Sequence, residues 1–127
     1  MRKAVFLRAA PYGRDALQLP VRDLEAALPY YETRFGFTVE SRQQSPLKSA
    51  ILVRDQVRIG LAENGGEPEQ EGCFFEVDDV AAAFTEIKGQ PAGAASLRPN
   101  KFGDATFQVF FEVAPDGLCY MLGQRAP

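Results

Sequence analysis

The sequence predicts an α+β fold: two tandem βαβββ modules forming a curved mixed sheet, with a concave cavity and helices on the outer face. Three observations predict it. Leu17–Phe37, LQLPVRDLEAALPYYETRFGF, reads as a strand, a capped helix and the start of a second strand. Val77–Phe84 then repeats Val21–Leu28, with the Val, Asp and both Ala positions in register and Leu replaced only by Val or Phe. Each copy is followed by short apolar segments separated by turn-forming residues. A repeated supersecondary unit of this kind is best read as one fold built twice.

Composition narrows the class. A chain of 127 residues with 46% apolar and 24% charged residues is the size and make-up of one globular domain. The net charge of −3 gives no basic footprint for nucleic acid. No apolar run reaches the length of a spanning helix, and Met1-Arg2-Lys3 followed by Ala4–Leu7 is too short for a signal peptide. Two cysteines are too few for a disulfide framework, so a reduced, cytoplasmic protein is the expectation. There is no histidine. That removes Ser-His-Asp and Cys-His nucleophilic catalysis, histidine-bound zinc and two-histidine iron sites together.

Residues 1–14 read as an N-terminal arm with a short strand at Ala4–Leu7 and a turn at Arg8–Gly13. Module one spans about 15–62. Its first strand is Ala16–Val21. Asp23 caps the following helix, Glu25 complements the helix dipole, and Leu24, Leu28, Tyr31 and Phe35 form its apolar face. Pro29 predicts a kink or local break, and Gly36 a left-handed stop. Phe37–Ser41 alternates as a half-buried strand, and Ser49–Val53 with Val57–Leu61 reads as a hairpin around Arg54-Asp55-Gln56. Glu63–Gly72, ENGGEPEQEG, is a linker; its carboxylates lack the spacing of a cation loop.

Module two spans 73–124. Cys73–Val77 is a strand, Asp79 caps a helix burying Val80, Ala83, Phe84 and Ile87, and Gly89 stops it. Gly93–Leu97 is read as a short strand and Arg98–Asp104 as a loop. Ala105–Val113 is a long strand, Pro115-Asp116-Gly117 a tight turn, and Leu118–Leu122 the closing strand.

The series V-x-D-L-x-x-A-L-x-x-Y-x-x-x-x-G-F, then F-x-V-D-D-V-x-A-A-F, then P-D-G before a closing strand, resembles the vicinal oxygen chelate superfamily. That group holds glyoxalase I, extradiol dioxygenases, and fosfomycin- and bleomycin-resistance proteins. The resemblance covers about residues 15–124; one departure is Ala114, where the family has an acidic residue before P-D-G. The family's metal enzymes carry four ligands on the concave side. Those positions fall on Ala16, Gly60, Cys73 and Met121 in this chain. Two of these side chains offer no donor and two offer soft sulfur, so no hard-cation site is expected and no cofactor is implied. The metal-free bleomycin-resistance branch is the nearest match, and it implies a homodimer holding a small organic ligand in crevices between subunits.

Alternation places Ala16, Gln18, Pro20, Arg58, Gly60, Ala62, Cys73, Phe75, Cys119 and Met121 on the concave side, with Phe74, Glu76, Tyr120 and Leu122 toward the helices. Candidate ligand-binding residues are Gln18, Arg58, Cys73, Phe75, Phe102, Cys119 and Met121, with Phe102 in a loop over the cavity. No catalytic residue and no metal ligand is assigned. Each has a plainer reading. The cysteines suit small buried apolar groups, Arg54 and Arg58 suit solvated charges, and Phe102 suits an ordinary loop. Glu76, on an apolar strand, needs a partner such as an arginine. Two other functions stay open: an enzyme of the same fold using Cys73, Glu76 or Arg58, and a protein-interaction module using a sheet edge.

Overall fold

The computed structural model describes residues 3–12, 15–93 and 95–126. In chain order the elements are β1 (Phe6–Pro11), β2 (Leu19–Pro20), α1 (Leu24–Thr33), β3 (Thr38–Gln43), β4 (Ser49–Arg54) and β5 (Val57–Ala62). A 3-10 turn, Pro68–Gln70, leads to β6 (Gly72–Val77), α2 (Val80–Lys88), β7 (Arg98–Phe102), β8 (Ala105–Val113) and β9 (Cys119–Arg125). Both βαβββ units are present, in an α+β fold with two mixed sheets. One has the order β2-β5-β4-β3 and the other β1-β6-β9-β8-β7. In each, the strand before the helix pairs in parallel with the last strand of its unit, β2 with β5 and β6 with β9.

The two helices begin alike. Asp23 accepts from the Ala26 N–H and Asp79 from the Ala82 N–H, each satisfying one of the free donors of a first turn. They end differently. Gly89 caps α2 at φ 77°, whereas α1 ends at Arg34 with a right-handed cap, and Gly36 turns the chain two residues later at φ 69°. The break predicted at Pro29 does not occur. The helix loses one backbone bond there, and Leu28 and Tyr31 on either side hold it against the core.

One apolar core joins the modules. It takes Leu52, Ile59 and Leu61 from the four-stranded sheet, Phe75, Tyr120 and Leu122 from the five-stranded sheet, and the inner faces of both helices. Phe35 is its hub, with ring centroids 5.9 Å from Phe75 and 5.2 Å from Tyr120. Each sheet therefore turns one face to this core and the other away from it. The acidic linker is docked to α1: Glu63 accepts from the Leu24 N–H at 2.8 Å, and Glu69 makes two 2.8 Å bonds to Arg22. The Arg22 guanidinium holds the Glu69 carboxyl down to about 2.

Several boundaries differ from the sequence reading. The first strand of module one shrinks to Leu19–Pro20, because Asp15 folds the chain ahead of it into a turn, accepting from the Leu17 N–H. The strand predicted at 93–97 lies instead at Arg98–Phe102, where a polar, proline-bearing segment pairs with β8 as an edge strand; Ala94 lies outside the described residues. The arm's strand is Phe6–Pro11, later than predicted, and it pairs antiparallel with β6; of its predicted turn, Gly13 lies outside the described residues. Arg54 is buried rather than solvated. It bonds Phe35 O and Ala4 O and pairs with both oxygens of Glu86.

Candidate functional site

The faces of β6 are the reverse of those predicted. Strand register pairs Cys73 with Tyr120 and Phe75 with Leu122, all four in the common core, while Phe74 pairs with Met121 and Glu76 with Gly123. Cys73 and Phe75 are fully buried there and take no part in the outward face. Burial pushes the Cys73 thiol up to about 12, the state of an inert core thiol. Cys119 lies on the opposite face of the neighbouring strand, in register with Gly72.

The outward face of the five-stranded sheet carries its own apolar cluster: Phe74, Phe107, Val109 and Met121, with Ala10, Phe102 and Ala105 packed at its border. Phe102 stacks on Phe74 at 4.5 Å, and Phe107 meets Phe74 edge-on at 4.8 Å. Of the predicted ligand residues, Phe102, Cys119 and Met121 are thus on one face, and Phe102 reaches it from an edge strand rather than a loop. Beside this cluster Glu76 is held between two arginines. Arg8 Nε lies 2.7 Å from Oε1 and Arg125 Nε 3.2 Å from Oε2. Each guanidinium also covers a ring, Arg8 that of Phe74 at 5.6 Å and Arg125 that of Phe107 at 5.3 Å. Arg8, Phe74, Phe107 and Arg125 were not singled out from sequence. Counting back by twos from Glu76 would have found Phe74.

Gln18 and Arg58 belong to the other sheet. Gln18 lines a cavity of about 230 Å³ with Leu17, Ser41, Gln43, Ser49 and Ile51. A smaller hollow of about 90 Å³ beside it shares Gln18, Gln43 and Ser49 and adds Pro46 and Leu47. Arg58 is exposed and pairs with Glu40 at 2.7 Å, outside both hollows. Glu112, paired with Tyr120 on the core-facing side of β8, accepts from the Tyr30 hydroxyl and from Lys88 Nζ, the latter at 2.5 Å.

The metal positions of the resemblance do not form a donor set. A Cβ on Gly60 would stand 2.2 Å from Leu17 O, so the turn at 15–18 already occupies that spot. On β6 the outward-facing residue at the level of Cys119 is Gly72, not Cys73. A Cβ there would stand 1.9 Å from Cys119 O and 2.6 Å from the Tyr12 ring. Burial and the neighbouring Cys119 raise the Tyr12 hydroxyl's pKa, which keeps it neutral. Among the described residues no three His, Cys, Asp or Glu side chains are grouped to hold a metal, and these residues do not fit the family's ion.

Comparison with known proteins agrees with this architecture. The family model described as Glyoxalase/Bleomycin resistance protein/Dioxygenase superfamily matches residues 13–117. Among solved structures, a protein from the mobile metagenome of V. Pseudocholerae is 18% identical with a TM-score of 0.69, covering 91% of this chain and 95% of its own. A bleomycin resistance determinant encoded on transposon Tn5 is 24% identical with a TM-score of 0.62, covering 91% and 99%. A bleomycin-binding protein complexed with bleomycin is 23% identical with a TM-score of 0.60, covering 90% and 99%. At these identities the likeness is one of fold. No curated protein sequence matches this chain.

Proposed function

The chain belongs to the Glyoxalase/Bleomycin resistance protein/Dioxygenase superfamily, and on that premise we propose that it binds a small organic molecule without a metal, as a homodimer. The observation that carries this reading is the second aromatic cluster. Beyond the core that holds Phe75, Tyr120 and Leu122, the sheet packs Phe74, Phe107 and Met121 on its other face under Phe102, Arg8 and Arg125, with Phe111 of that face left exposed. Aromatic rings with a few fixed polar groups are what a small-molecule site is made of.

The homodimer follows from incompleteness. The cavity beside Gln18, at about 230 Å³, is smaller than the ~300–1,000 Å³ usual for such sites. The same sheet face is open at Phe111 and Val113, 48% and 60% exposed on β8, while Phe74 and Phe107 beside them are buried. Two copies that set one sheet's outward face against the other's would enlarge the first and cover the second. We take residues 1–127 as one domain, with module one at 15–62, the linker at 63–72, module two at 73–124 and the arm at 1–14. Two unbridged cysteines suit a reducing, cytoplasmic setting, and no helix of the described residues is long and apolar enough to cross a membrane.

Thermal-shift screening of the chelator-treated protein against aromatic compounds tests this reading. A compound that raises Tm in the wild type and not in Phe74→Ser supports it. Compounds that act only after a divalent metal is restored contradict it.

A further inference from the structure

We infer that the outward face of the five-stranded sheet selects an anionic ligand, an aromatic or apolar body bearing a carboxylate, phosphate or sulfonate. This rests on the small-molecule reading above and adds its charge. Register places Arg8, Glu76, Gly123, Val109 and Arg98 in one row across all five strands, with Arg125 beside Phe107 in the next. Among the described residues these strands present three guanidiniums and one carboxylate to that side; Asp104 lies in the turn beyond them.

Glu76 is consumed by its two partners. Both hydrogen bonds run through the arginine Nε atoms, and the side chains of Arg8 and Arg125 stay 44% and 59% exposed. Arg98 has no ion pair among the described residues. Stacking on Phe74 and Phe107 fixes two of the forks in orientation. A planar fork held in place beside an apolar surface is suited to carboxylate or phosphate recognition in a way that a mobile ammonium is not. Gly123, at the middle of the row, lets Val109, Phe74 and Phe107 close over the sheet, and the exposed ring of Phe111 in the next row is left for the ligand body. The same arrangement disfavours a cation, because neither Glu76 nor Glu112 is left to receive one.

The test is calorimetric titration of the full, chelator-treated chain with three probes of one shape: 2-naphthoate, 2-naphthylmethanol and 2-naphthylmethylammonium. The expected order is naphthoate tightest, by about tenfold over the alcohol, with the ammonium weakest. Arg98→Gln and Arg125→Gln each reduce the ratio of naphthoate to alcohol affinity, and raised salt reduces it in the wild type. Equal affinities, or a preferred ammonium, overturn the anionic assignment and leave small-molecule binding standing. No binding of any probe overturns both.

Discussion

The Tyr31 and Tyr120 hydroxyls lie 2.6 Å apart, both side chains fully buried, where the helix of the first module meets a central strand of the second. Each hydroxyl satisfies the other inside an apolar core, and burial raises both of their pKa values. Tyr31→Phe or Tyr120→Phe alone leaves one hydroxyl without its partner and is expected to cost about 1–3 kcal/mol. The double Phe variant should cost less than the sum of the two. Urea denaturation of all four proteins closes the cycle, and additive losses would contradict the pairing.

Arg54 predicts a larger loss. Its side chain is 7% exposed, pairs with both oxygens of Glu86 and lies 4.1 Å over the Phe6 ring. Arg54→Met strands a partly buried carboxylate and is expected to remove about 3–5 kcal/mol. Replacing both partners with apolar residues should recover part of this, read from the same denaturation curves.

The two cysteines should behave differently. Iodoacetamide on the native protein is expected to label Cys119 and spare Cys73, with both labelled in urea, as peptide mass spectrometry will show. The pH dependence follows from the same burial. The folded chain holds the Cys73 proton up to about 12, while an unfolded chain releases it near ~8.5. The thiol's contribution is therefore full below the unfolded value and is lost as pH rises toward the folded one. Stability of the wild type should fall more steeply over that alkaline window than that of Cys73→Ala.

The homodimer makes its own prediction. Val113→Lys and Phe111→Lys place a charge on exposed apolar positions that face the side of Cys119 and Met121. Sedimentation velocity should show the wild type as a dimer and either variant shifted toward monomer with its thermal stability otherwise kept. A monomeric wild type contradicts the proposed assembly.

How much was legible in the sequence depended on contrast. The helices were readable because Asp23 and Asp79 cap identical apolar patterns, and the turn at Pro115-Asp116-Gly117 because Gly117 takes φ 107°. The faces of β6 were not readable. All six of its residues are buried, covered by β1 at one edge, the core on one side and the aromatic cluster on the other, so Cys73-Phe74-Phe75 carries no polar alternation to fix which face is which. A one-residue slip in parity moved Cys73 and Phe75 from the site to the core and brought in Phe74 and Glu76. Strand β7 was hidden for the opposite reason: Arg98-Pro99-Asn100-Lys101 is polar because it is an edge strand, and composition alone reads that as a loop.

The central claim is metal-independent binding of a small organic molecule on the outward sheet faces. Its most direct test is a calorimetric titration of 2-naphthoate into the protein after exhaustive chelation, repeated after adding back manganese, nickel or zinc. The account predicts saturable binding in the chelated protein, unchanged by any metal and abolished by Phe74→Ser. Binding that appears only with metal, or that survives the loss of Phe74, would contradict it.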